Sequence, residues 1–188
     1  MTDPRYPIGP FELSGRISPE RRETWMQDVA ELPALLRAAM TNREDEDLDL
    51  RPREGAWTVR QLVHHLADTH AHGASAFRAA LAEKDPPLLP LPEKLLSRFQ
   101  DASEGDVEPS LRLLEGLHAR WASLLHGMAD LDFTRPMRWP KAPFSTLEGA
   151  LGYHAWHGRH HVTQIEIALF RRHGPASLEA PRAIVSGW

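Results

Sequence analysis

Four stretches of this chain repeat their apolar residues at spacings of three and four, and none reads convincingly as a strand. Ser18-Pro19-Glu20 is a helix start, with serine as N-cap, proline at the first helical position and an acid in the first turn. Trp25, Val29, Leu32, Leu36 and Met40 follow on one face. Pro33 falls inside this pattern and is expected to kink the helix, and the acidic run Glu44–Asp47 to end it. Thr58-Val59-Arg60-Gln61 fits a capping box, behind which Val59, Leu62, Val63, Leu66, Phe77 and Leu81 form a stripe running to about Glu83. Pro86, Pro87, Pro90 and Pro92 then impose a stiff connection, with room for a short helix near Glu93–Phe99.

A third helix is expected after Pro109, with Leu111, Leu114, Leu117, Trp121, Leu124, Leu125 and Met128 on its apolar face. Pro136 and Pro140 mark a loop. Ser145-Thr146-Leu147-Glu148 reads as a further capping box, opening a last helix that carries Leu147, Leu151, His154, His161, Ile165 and Leu169 up to Gly174-Pro175. Four amphipathic helices of about twenty residues predict an all-α four-helix bundle with long loops, which cross its ends or cover a site. No internal repeat is present, and 188 residues suit a single domain spanning 1–188.

The formal net charge of −4 comes with no basic stripe, which argues against nucleic-acid binding. No apolar run approaches the length of a membrane span, and the N-terminus shows no signal-peptide pattern, so a cytoplasmic location is expected. Cysteine is absent, which excludes disulfides, thiolate ligands and a cysteine nucleophile.

Eight of the 11 histidines fall in two helical windows: His64, His65, His70 and His72, then His154, His157, His160 and His161. Neutral imidazole is a common ligand for zinc, nickel, copper and iron. His157 and His161 stand at i and i+4, about 40° apart around a helix, so both rings can reach one metal. His161 lies on the flank of the apolar face and His157 further out on that flank. His154 points into the face and His160 away from it. In the second helix His70 sits at the centre of the stripe, with His64 and His65 on opposite flanks and His72 and Asp68 on the side nearer His65. Periodicity alone leaves the third ligand open.

Tyr6-Pro7-Ile8-Gly9-Pro10-Phe11, the run Gly55 to His70, Leu117-His118-Ala119-Arg120-Trp121 and Trp156-His157-Gly158-Arg159-His160-His161 together resemble the YfiT-like branch of the DinB superfamily. The matches are in order and span nearly the whole chain. The resemblance implies an up-down-down-up four-helix bundle with a three-histidine metal site, whose ligands fall on His65, His157 and His161. It also implies a homodimer. Gln164 stands where many relatives carry another histidine, a position outside the ligand set.

Three neutral histidines leave a divalent ion, zinc or nickel first and iron, manganese or cobalt also compatible, with open positions for chemistry. Members of the family are described as metal-dependent hydrolases or as thiol S-transferases using a low-molecular-weight thiol such as bacillithiol. The expected function is transfer of such a thiol to an electrophilic small molecule, the sulfur coming from the cosubstrate. Hydrolysis by metal-activated water is the alternative, a metal-binding stress protein without turnover a second, and a pure interaction module a third. Asp68, one turn beyond the second-helix histidines, is a candidate to orient a ligand, and is otherwise a solvated helix-face acid. His64 and His160 are expected at the surface or behind a ligand. Arg60 and Arg159 read as exposed helix arginines, or as receivers of an anionic substrate group. Trp57 and Trp156 read as packing residues, and Gly158 as a point of close backbone approach.

Overall fold

The computed structural model describes residues 3–84 and 86–174. Among them are eight helices: α1 (Pro19–Met40), α2 (Asp45–Leu48), α3 (Val59–Ala82), α4 (Glu93–Leu96), α5 (Gln100–Glu104), α6 (Glu108–His126), α7 (Asp130–Phe133) and α8 (Leu147–His173). The described residues contain no strand, only an isolated bridge between Pro136 and Thr146. None of these helices is long and apolar enough to cross a membrane.

The helix starts follow local chemistry. Ser18 Oγ accepts from the Arg21 amide, and Thr58 and Gln61 cap each other's backbone. At the start of α8 the cap is Thr146 rather than Ser145, one residue later than expected and without the reciprocal acid. The acidic run does not terminate α1. That helix ends at Met40, and Asp45–Leu48 forms α2 instead, because the Asp47 carboxylate accepts from the Glu44 amide and from His173 at the end of α8. α1 continues through Pro33. α8 ends with Gly174 at φ 70°, and the expected stop at Pro175 and the chain beyond it lie outside the described residues.

Contacts between the long helices fix the topology. Trp25 packs on Gly152 and Leu32 on Gly158, so α1 and α8 run parallel. Arg37 pairs with Glu108 and Val29 meets His118, so α6 runs antiparallel to α1. His64 meets Ser110 and His70 meets His118, so α3 runs with α6. His65 meets His157 further along α8 than Gly73 meets His154, so α3 opposes α8. The bundle is up-down-down-up.

Glycines set the closeness of α1 and α8. A Cβ on Gly158 would lie 2.7 Å from Leu32, and one on Gly152 would lie 2.8 Å from the Trp25 ring. The close partner of Gly158 is thus a side chain, not the backbone its position suggested.

The core consists of two apolar clusters stacked along the bundle. One gathers Leu32, Leu36, Leu62, Leu66, Leu114 and Ile165; the other gathers Trp25, Val29, Phe77, Trp121, Leu147 and Leu151. The change from one to the other falls between Ala67 and Ala74 on α3, Leu114 and Trp121 on α6, and Ala155 and Val162 on α8. His70, His118, His157 and His161 occupy those gaps, so a histidine layer divides the core.

Candidate metal centre

His65 projects from α3 and His157 and His161 from α8, and all three are buried. One nitrogen from each can be chosen so that all lie within 4.8 Å of one another. His65 Nε2 is 3.1 Å from His157 Nε2. Two imidazole nitrogens on one tetrahedral zinc would stand about 3.3 Å apart, so this spacing suits a shared ion. Among the described residues no other group of histidine, aspartate and glutamate side chains converges in this way.

The protonation states also suit a cation. Burial pulls His157 and His161 well below the ordinary histidine pKa, assisted by the neighbouring rings, and pulls His65 down to about 4. All three are neutral at pH 7 and offer lone pairs. His161 is further specified by Gln164. The Gln164 amide nitrogen faces the Arg5 carbonyl at 3.3 Å, which only accepts, so Gln164 Oε1 faces His161 Nδ1 at 2.9 Å and takes its proton. His161 Nε2 is left without a hydrogen. The donor set, three buried neutral imidazoles without a carboxylate, fits a divalent transition metal and leaves positions on it open.

Aromatic rings wall the site. Trp57 lies 4.6 Å from His65 between ring centroids, and Tyr153 stacks on His157 at 26° between planes. A small cavity beside His65 is lined by Asp68, Glu93, Leu91, Leu96, Ser97 and Ala102. Burial raises the Asp68 carboxyl, helped by Asp101, and raises Glu93. Asp68 shares this cavity with His65, but no hydrogen bond joins the two.

The other candidates fall into different places. His160 is buried rather than at the surface, stacked on Trp156 and accepting from Gln164 at 3.0 Å. His64 is half-buried and bonds Ser110. His72 bonds the Leu89 carbonyl. His154 is buried with both ring nitrogens unpartnered. Arg60 is not an exposed arginine: it is 4% exposed and bonds the Gly105 carbonyl and Asp45. Arg159 bonds Asp28. Trp156 is buried and donates to the Gly9 carbonyl, fastening the N-terminal segment over α8. Sequence reasoning missed His118, which is fully inside, with Nδ1 2.5 Å from the Val29 carbonyl and Nε2 3.1 Å from His70 Nδ1. The signal was present: His118 lies four residues after Leu114 and three before Trp121, on the apolar stripe.

Comparison with known proteins agrees with this fold. The model of the DinB superfamily matches residues 28–165. The "putative metal-dependent hydrolase YfiT" of Bacillus subtilis strain 168 is 41% identical over 170 residues, covering 90% of this chain and 95% of that protein. A relative of the same description from Bacillus cereus strain 03BB102 is 39% identical over 165 residues, covering 88% of this chain and 95% of its own length. The solved structure of YfiT, described as having "an unusual four-helix bundle topology", superposes with a TM-score of 0.85 at 40% identity, covering 92% of this chain and 99% of that one.

Proposed function

The chain belongs to the DinB superfamily, and from that premise we propose that it is a metal-dependent hydrolase of a small molecule, with one divalent ion, zinc or nickel, held by His65, His157 and His161. The observation that carries this reading is the convergence of three buried, neutral imidazoles from two helices. The ion would supply Lewis acidity, making a water or a thiol acidic near neutral pH.

The chain's own groups supply the rest. Gln164 holds His161 with its unprotonated nitrogen toward the site. Trp57 and Tyr153 fix the rings of His65 and His157 and keep bulk water from them. Asp68 and Glu93, both reaching solvent, line the cavity beside His65, and partial burial raises the proton affinity of both. The hydrolase descriptions of the relatives favour water as the nucleophile. Transfer of a low-molecular-weight thiol would use the same metal site and draw its sulfur from a cosubstrate, since the chain has no cysteine.

The test is turnover by the zinc- or nickel-loaded protein. A panel of esters, amides and phosphoesters is assayed without thiol, and a halogenated aromatic with and without added thiol. Hydrolysis without thiol supports the proposal. Turnover seen only with thiol and electrophile would replace it with the transferase.

A further inference from the structure

Residue 33 is a proline inside α1, so the Val29 carbonyl four residues before it has no amide hydrogen to accept. That carbonyl points into the histidine layer, where His118 Nδ1 lies 2.5 Å away. A carbonyl oxygen can only accept, so His118 carries its proton on Nδ1 and presents a bare Nε2. His118 Nε2 lies 3.1 Å from His70 Nδ1, which must therefore be the protonated nitrogen of His70. His70 Nε2 is then bare, and it lies 3.3 Å from His157 Nδ1. The ring centroids of the two pairs lie 5.0 Å and 5.4 Å apart, with planes at 25° and 33°.

We propose that His118 and His70 are positioning residues: a relay of two imidazoles anchored on the Val29 carbonyl holds the proton of His157 on Nδ1 and turns its bare Nε2 toward His65 and His161. The direction of the whole chain is set at its far end, by the one group in it that has no choice of role. His161 receives the same treatment from the Arg5 carbonyl through Gln164. Both ligands on α8 are thus oriented by backbone carbonyls, one from α1 and one from the N-terminal segment. A histidine ligand whose second nitrogen donates to a fixed acceptor is held in one tautomer and is a better base toward the metal.

The consequence for metal binding rests on the reading of His65, His157 and His161 as ligands; the tautomer order does not. The first measurement is therefore made on the metal-free, histidine-labelled protein, by long-range proton–nitrogen correlation of the imidazole rings. His118, His70 and His157 are each expected in the Nδ1–H form. Any one of them in the Nε2–H form overturns the relay. The second measurement is zinc affinity by titration calorimetry. His118→Phe removes the acceptor for His70, and is expected to weaken zinc binding by about 10- to 100-fold. His118→Gln keeps an oxygen that can accept from His70 and is expected to retain most of the affinity. Equal affinity in His118→Phe and the wild type overturns the inference. A wild-type protein that takes up no zinc defeats the metal reading instead, and the tautomers then decide the relay alone. If His118→Phe does not fold, the wild-type spectrum still decides it.

Discussion

His118 fills, through its Nδ1, the hydrogen-bonding place that Pro33 leaves open on α1. In the sequence Pro33 looks like a defect that should kink a helix. In the structure the helix runs through it, and the carbonyl it frees is used by another helix. The cost of proline in a helix interior, about 3 kcal/mol against alanine, is offset in part by this bond and by the burial of Pro33 itself.

Gln164 does for His161 what His70 does for His157, with one side chain in place of two. Gln164→Ala is expected to weaken zinc binding by about 10- to 100-fold, because His161 loses the acceptor that fixes its tautomer. Gln164→Glu keeps that acceptor and should bind zinc more tightly than Gln164→Ala. Titration calorimetry of the three proteins checks the order.

Two glycines should respond to alanine with opposite signs. Gly116 on α6 faces open space, so Gly116→Ala is expected to stabilise by about 0.5–1 kcal/mol through helix propensity. A Cβ on Gly152 would lie 2.8 Å from the rigid, buried Trp25 ring, so Gly152→Ala is expected to destabilise by about 1–3 kcal/mol. Urea unfolding of both variants measures the two effects against the wild type.

Arg60 is part of the scaffold rather than the site. Its guanidinium joins α3 to Asp45 at the start of α2 and to the Gly105 carbonyl just after α5. Arg60→Ala is expected to cost about 1–3 kcal/mol of stability, through the loss of a buried side chain and its bonds to partly exposed acceptors, with metal content unchanged. A stable variant with reduced metal would place Arg60 in the site after all.

His154 gives the protein a dependence on pH that needs no metal. Burial, with His118 and His72 nearby, drops its pKa to about 3 from an ordinary value near 6.5. Between those values the unfolded chain holds a proton at this position that the folded chain refuses. Stability from this source is therefore complete above about pH 6.5 and falls as pH drops toward 3. Unfolding of the metal-free protein at pH 7.5 and pH 5 should show a loss at the lower pH, and His154→Leu should show a smaller one. An unchanged slope in the variant would count against the assignment.

The helices and their faces were legible because caps and apolar spacing are local. Ser18, Thr58 and the stripe of α6 read correctly, and the His157–His161 pair followed from the pitch of one helix. His65 could be chosen from its helix only by resemblance, since which flank of α3 faces α8 depends on packing between helices. His118 and the burial of Arg60 escape the sequence for the same reason. Their partners lie 89, and 45 or 15, residues away, and such separations leave no trace in local pattern. Of the two places expected for His160, the structure gives the one behind a ligand: it reaches His161 through Gln164, under an N-terminal segment held by the Trp156 bond to Gly9.

The central claim is that His65, His157 and His161 together hold one metal ion. It is tested most directly by elemental analysis of the purified wild-type protein beside His65→Ala and His161→Ala, each confirmed as folded by its helical circular dichroism. The account predicts about one divalent ion per wild-type chain and a near-complete loss in both variants. Metal content unchanged in both variants would contradict it.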